Sequence, residues 1–122
     1  MVIHESAENY LETILMLKKR LGNVRSVDIA NELGFKKSSI SVAMKHFREN
    51  GYITTDIDGH ISLTALGSSI AEKVYERHRV IAEILISLGV GEETAREDAC
   101  KIEHVLSDES FMRMKSHYEK YK

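Results

Sequence analysis

A thirteen-residue stretch, YITTDIDGHISLT at 52–64, limits the folds open to this chain more than any other. Tyr52–Thr55 is rich in β-formers, Ile61–Thr64 alternates, and the Asp58-Gly59 pair between them is a hairpin signal. The rest of the chain is written in helical period. It contains no proline, which suits helices joined by short connections. Upstream of the hairpin, Tyr10, Leu11, Ile14, Leu15, Leu17 and Leu21 predict a helix over 5–21 that ends at Gly22-Asn23. Ser26 is the expected N-cap of a short helix carrying Val27, Ile29, Ala30 and Leu33 and stopping at Gly34. A third helix is predicted over 37–50, with Ile40, Val42, Ala43, Met44 and Phe47 available for its buried side. Short helices followed by a small hairpin are the order of a winged helix-turn-helix.

Downstream, Leu66, Ile70, Val74, Ile81, Leu85 and Leu88 form one apolar stripe over a helix of about 24 residues. Gly89 and Gly91 end it. Ala95, Ala99, Ile102 and Leu106 predict another helix, and Ser107 is placed to cap a last one bearing Phe111, Met114 and Tyr118. The expected fold is mainly α: a winged helix-turn-helix with a small β-hairpin wing over 1–66, then a helical domain over 67–122. A chain of 122 residues, 43% hydrophobic, has the material for a core. Chains of this size often share apolar surface with a partner subunit.

The net charge is −2, and basic and acidic residues are close to balanced on both sides of Leu66. Contact with nucleic acid must therefore rest on a local patch. The single cysteine excludes an intramolecular disulfide. The opening MVIHESAENY lacks the basic-then-apolar layout of a signal peptide. The most apolar run, 80–90, is interrupted by Glu83 and is too short to span a bilayer. These features lead to the expectation of a cytoplasmic protein without a membrane partner.

The patch is found at the start of the third helix. Lys36, Lys37, Ser38 and Ser39 fill its first turn, and Ser41 and Lys45 follow. The N-terminal end of a recognition helix enters the major groove, where lysines attract phosphate and serine hydroxyls and helix amides hydrogen-bond it. Lysine and serine are also common on any solvated helix start. It is the preceding short helix, the Gly34 turn and the hairpin that favour double-stranded DNA as the partner. His60 near the hairpin tip either touches backbone or is merely exposed.

A second cluster, CKIEH at 100–104, places Cys100, Glu103 and His104 at helical spacings of three and four, on one face beside Ala99, Ile102 and Leu106. His78 interrupts the stripe of the long helix. Glu12 lies between Leu11 and Ile14 in the first helix, with Asn9 one turn earlier. Taken singly, each has a bland reading: a satisfied core histidine, a small buried thiol, a solvated glutamate. If the helices pack together, a thiolate, carboxylates, imidazoles and an amide converge, a donor set suited to a first-row transition metal.

Here the chain resembles the DtxR/MntR family of metal-dependent transcriptional repressors. The resemblance runs through AENYLETILML (7–17), SVDIANELGFKKSSISVAMKHFRENGYI (26–53), HISLTALG (60–67), ERHRVIAEIL (76–85) and DACKIEHVLSDE (98–109). It implies a homodimer whose C-terminal half is a metal-binding and dimerisation domain. It also implies a metal co-repressor acting on operators of metal-uptake genes, with ligands Asn9, Glu12, His78, Cys100, Glu103 and His104. The pattern is mixed. Manganese-type members resemble Asp at position 9 and Glu at 100, where this chain has Asn9 and Cys100. Iron-type members carry Cys at 100, as here, but Met at 9 and no acid at 12. Their ancillary site wants an acid at 82 and a histidine at 96; Ala82 and Arg96 argue against a second site. The chain is similar to the short form, without an SH3-like domain.

A thiolate in place of a carboxylate disfavours Mn²⁺ relative to softer-accepting ions. The expectation is one principal site favouring Fe²⁺ over Mn²⁺, with Co²⁺, Ni²⁺ or Zn²⁺ able to bind in vitro. Rival readings are a metal-independent winged-helix dimer and a metal-dependent hydrolase pairing Cys100 with His104. The second lacks any HExxH or Gly-rich phosphate loop, so no enzyme and no small-molecule substrate are expected. Phe111, Met112, Met114, Tyr118 and Tyr121 are read as dimer contact or core ahead of a partner-binding face.

Overall fold

The computed structural model describes residues 5–122, with side chains from Ala7 onward. Residues 1–4 of the first expected domain lie outside the described residues. Helices α1 (Glu5–Leu21), α2 (Ser26–Leu33) and α3 (Lys37–Glu49) are followed by strands β1 (Ile53–Thr55) and β2 (Ile61–Leu63). Helices α4 (Ala65–Ser87), α5 (Glu92–Ile102) and α6 (Asp108–Tyr121) complete the order. The mainly helical class with one small hairpin is as the sequence predicts. The backbone forms two compact units, one ending at Glu72 and the other running from Lys73 to Lys122, with the boundary inside α4. Among the described residues, no helix is long and apolar enough to cross a membrane.

In the first unit the buried sides of α1 (Leu11, Ile14, Leu17), α2 (Ile29) and α3 (Ile40, Met44, Phe47) make a core with Val24, Tyr52, Ile53 and Ile61. Tyr10 sets its ring edgewise to Phe35 and Phe47, at 6.0 and 5.7 Å between centroids. The α2–α3 turn is tight because Gly34 takes the left-handed conformation (φ 71°) that closes helices, its amide donating to the Ala30 carbonyl at 2.9 Å. The hairpin is antiparallel with Ile53 opposite Leu63 and Thr55 opposite Ile61. The Ile61 amide also donates to the Val24 carbonyl at 2.7 Å, tying the wing to the α1–α2 connection.

Several local expectations are corrected. Ser26 is the first residue of α2 and Arg25 holds the cap position, where its amide donates to the Asp28 carboxylate at 2.9 Å. Val42 is 71% exposed. Successive helical residues turn by about 100°, so Val42 points away from the side that Ile40, Met44 and Phe47 bury. The Asp58-Gly59 pair sits in a longer loop than a two-residue turn. There the Asp56 carboxylate accepts from the amides of Asp58 and His60, both at 2.9 Å. Leu66 and Leu88, at the ends of the long stripe, are exposed.

In the second unit Val80, Ile81 and Ala82 of α4, Ala99 of α5 and Phe111 of α6 form the core, with Ile84, Leu85, Ile102 and Leu106 packed against it. Ser107 caps α6 as expected, accepting from the Ser110 amide at 3.1 Å. Helix α5 stops at Ile102 and does not reach Leu106. Glu103 keeps helical angles as its C-cap, and a turn carries the chain to Ser107.

Candidate metal centre

Four of the six expected metal ligands lie in the second unit, and they come together there. Helix α4 carries His78 on the side facing α5. Glu103 closes α5, with its amide bonded to the Ala99 carbonyl at 2.9 Å, so the last turn still projects Cys100, Glu103 and His104 to one side. Donor atoms of those three lie within 4.8 Å of one another. His78 Nδ1 stands 3.1 Å from Glu103 Oε2, and His104 Nε2 stands 3.2 Å from Glu103 Oε1. Glu103 is 2% exposed, a buried carboxylate flanked by two imidazoles. Asn9 and Glu12 lie in the first unit, about one turn apart on α1. The Asn9 carbonyl accepts from the Thr13 hydroxyl at 2.7 Å, and Glu12 is buried.

Glu103 Oε1 makes no hydrogen bond although it is fully buried. The His104 imidazole stands near that oxygen without hydrogen-bonding it; a buried carboxylate oxygen left so costs free energy, and a cation bound there would satisfy it. The donors around it, two imidazoles and a thiol, are those that first-row transition metals prefer over Mg²⁺ or Ca²⁺. The residues present therefore fit a divalent transition ion.

Two arginines were not singled out in the sequence. Arg77, next to His78, is 7% exposed. Its Nη1 donates to the carbonyls of Glu103 and Leu106 at 3.1 and 2.5 Å, its Nη2 pairs with the Asp108 carboxylate, and its guanidinium carbon lies 5.2 Å above the Phe111 ring. The Lys73 ammonium, with Arg77, holds the Asp108 carboxyl below its ordinary value, so it is ionised at neutral pH. Nothing local marks Arg77 as buried. Arg25 lines a cavity of about 290 Å³ with Ser26, Val27, Lys37, Ser41 and Gly59; a basic residue just ahead of a helix start is its one sequence signal.

The expected DNA contacts are all on one accessible region. Lys36 holds the N-cap of α3, Lys37, Ser38 and Ser39 form its first turn, and these four with Ser41 and Lys45 are exposed. Beside them His60 is half-buried and pairs with the Asp56 carboxylate at 3.3 Å. The His60 amide first, then that of Asp58, keeps the Asp56 carboxyl below its ordinary value.

Known proteins resemble this chain along nearly its whole length. Residues 3–61 match the family model described as "Iron dependent repressor, N-terminal DNA binding domain". Residues 64–122 match "Iron dependent repressor, metal binding and dimerisation domain". An HTH-type transcriptional regulator of Methanocaldococcus jannaschii is 37% identical over 97% of this chain and 96% of its own length. The transcriptional regulator MntR of Escherichia coli O6:H1 is 34% identical over 87% of this chain and 68% of its own. IdeR of T. acidophilum superposes with a TM-score of 0.81 at 28% identity, covering 98% of this chain. The chain spans about half the length of that solved structure, 55%. A manganese-dependent transcriptional repressor in complex with manganese shares the fold, with a TM-score of 0.84 at 24% identity over 93% of this chain and 52% of its own. With both of its halves matched in order and a relative aligned along nearly its whole length, the chain belongs to the DtxR/MntR family of metal-dependent transcriptional repressors.

Proposed function

We propose that this chain is a repressor switched on by one principal divalent transition metal per subunit, held by His78, Cys100, Glu103 and His104 with Asn9 and Glu12 of α1. The observation that carries the reading is the buried Glu103 carboxylate, set between two imidazoles and beside a thiol, with one oxygen lacking a hydrogen bond. When bound, the ion supplies the positive charge this anionic donor set lacks. Residues 1–66 act as the reader and 67–122 as the metal-binding and dimerisation part of a homodimer. Ligation by α1 couples the two parts, so that the DNA-competent arrangement of the readers gains population on metal binding. Operators of metal-uptake genes are the proposed targets, bound through Lys36, Lys37, Ser38, Ser39, Ser41 and Lys45.

Fe²⁺ is proposed ahead of Mn²⁺. Cys100 offers a thiolate where a carboxylate would suit Mn²⁺ better, and Asn9 offers an uncharged amide. Anaerobic titration of wild type and Cys100→Ser with both metals tests the preference: the serine variant is expected to shift the ranking toward Mn²⁺, and an unchanged ranking removes the argument. Gel shift of a selected duplex in chelator and in excess metal tests co-repression. Equal affinity in the two conditions, or intact DNA binding in His78→Ala and Glu103→Ala, returns the chain to a metal-independent regulator.

A further inference from the structure

Helix α5 ends at Ile102, so the carbonyls of its last turn have no partners farther along the helix. Two carbonyls of the segment that follows, those of Glu103 and Leu106, are taken up by one side chain, Arg77. The same guanidinium pairs with Asp108 at the start of α6 and lies over Phe111 one turn later. Buried guanidinium groups persist in folded proteins only where such partners are supplied. All the partners named here fall within 103–111, a segment that begins with Glu103 and His104. On its own helix Arg77 immediately precedes His78. One buried cation thus joins the backbone that carries one imidazole to the backbone that carries the carboxylate and the other imidazole.

We propose that Arg77 is the positioning residue of the metal centre. It contributes no donor atom; it fixes the turn after α5 against α4, so that Glu103 and His104 stay within reach of His78. The proposal rests on the metal-centre reading above. A plain clamp for α6 would change the melting temperature of the metal-free chain and leave the bound ion's surroundings as they were. A positioning residue changes affinity and ligand field as well. Groups that orient ligands without binding the metal typically contribute about 10–100-fold to its affinity.

The test is an anaerobic Co²⁺ titration of the full chain, read by the thiolate-to-cobalt charge-transfer band and the visible d–d bands. Wild type, Arg77→Lys, Arg77→Met and Asp108→Asn are compared. Arg77→Met is expected to bind Co²⁺ about 10–100-fold more weakly with shifted d–d bands. Arg77→Lys, which keeps the charge without the fork of donors, is expected to recover part of the loss. Asp108→Asn alters an exposed side chain and removes the charge of one of the partners while keeping an acceptor oxygen; it is expected to show a smaller loss in the same direction, and it decides the matter should the Arg77 variants fail to fold. Unchanged Co²⁺ affinity and band positions overturn the proposal, even where the metal-free melting temperature falls. A wild type that gives no thiolate-to-cobalt band strikes the metal-centre reading itself, and the Arg77 role falls with it; a wild type that binds beside variants that bind equally strikes Arg77 alone.

Discussion

Glu103 is a carboxylate at 2% exposure, where an anion survives only with compensating partners. Its neighbours His78 and His104 supply one compensation, and a metal would supply the stronger one. Glutamine at this position keeps the shape and removes the charge. Glu103→Gln is therefore expected to cancel the rise in melting temperature that metal gives the wild type. For an ion present at 100 times its Kd, that stabilisation is about 2.7 kcal/mol. Melting both proteins in chelator and in Co²⁺ checks the expectation, and an equal rise in the two removes Glu103 from the ligand set. At this scale the candidate site was partly legible. Cys100, Glu103 and His104 stand out as reactive side chains along an apolar stripe, and His78 because it interrupts one. Arg77 was hidden. Its partners Glu103, Leu106 and Asp108 are 26, 29 and 31 residues away, and a buried arginine is spelled like a solvated one.

Elements were easier to find than to orient or to end. Helix α3 follows from its period, yet Val42 faces solvent, because an apolar residue lends the same weight to a pattern whichever side it lies on. Helix α5 was expected to extend through Leu106. The extended backbone of Ser107 (φ −67°, ψ 157°), which caps α6, requires α5 to have closed before it. The junction between wing and α4 shows a constraint no pattern reveals. The Thr64 hydroxyl donates to the Gly51 carbonyl at 2.6 Å and accepts from the Gly67 amide at 3.1 Å. Gly67 lies so close to the wing that a Cβ there would stand 2.0 Å from the Tyr52 carbonyl oxygen. Backbone, not a mobile side chain, is what it would meet. Gly67→Ala must push the Tyr52 backbone, just ahead of β1, away from α4 and is expected to destabilise by ~1–3 kcal/mol, the usual range for overpacking. Urea unfolding checks it; a midpoint equal to wild type would mean that the strand gives way at no cost.

The whole molecule joins two units with separate cores, a reader and a metal-binding part, and the proposed regulation is a coupling between them. A coupling free energy has the same value from either end. Allosteric couplings commonly amount to ~1–3 kcal/mol, or about 5–150-fold in affinity. If metal tightens duplex binding by some factor, saturating duplex must tighten metal binding by that same factor. The two measurements are independent: fluorescence anisotropy of a labelled duplex in chelator and in metal, and titration of metal into free and duplex-bound protein. Ionic strength must be held fixed, because each phosphate contact contributes about −0.9 to the slope of log K against log salt. With salt fixed, the two factors are expected to agree for wild type. In Glu12→Ala the duplex-induced gain is expected to fall even where His78, Cys100, Glu103 and His104 still hold metal, since this variant removes the proposed link between the ion and α1. A full gain retained in Glu12→Ala would place the coupling elsewhere than in ligation by α1.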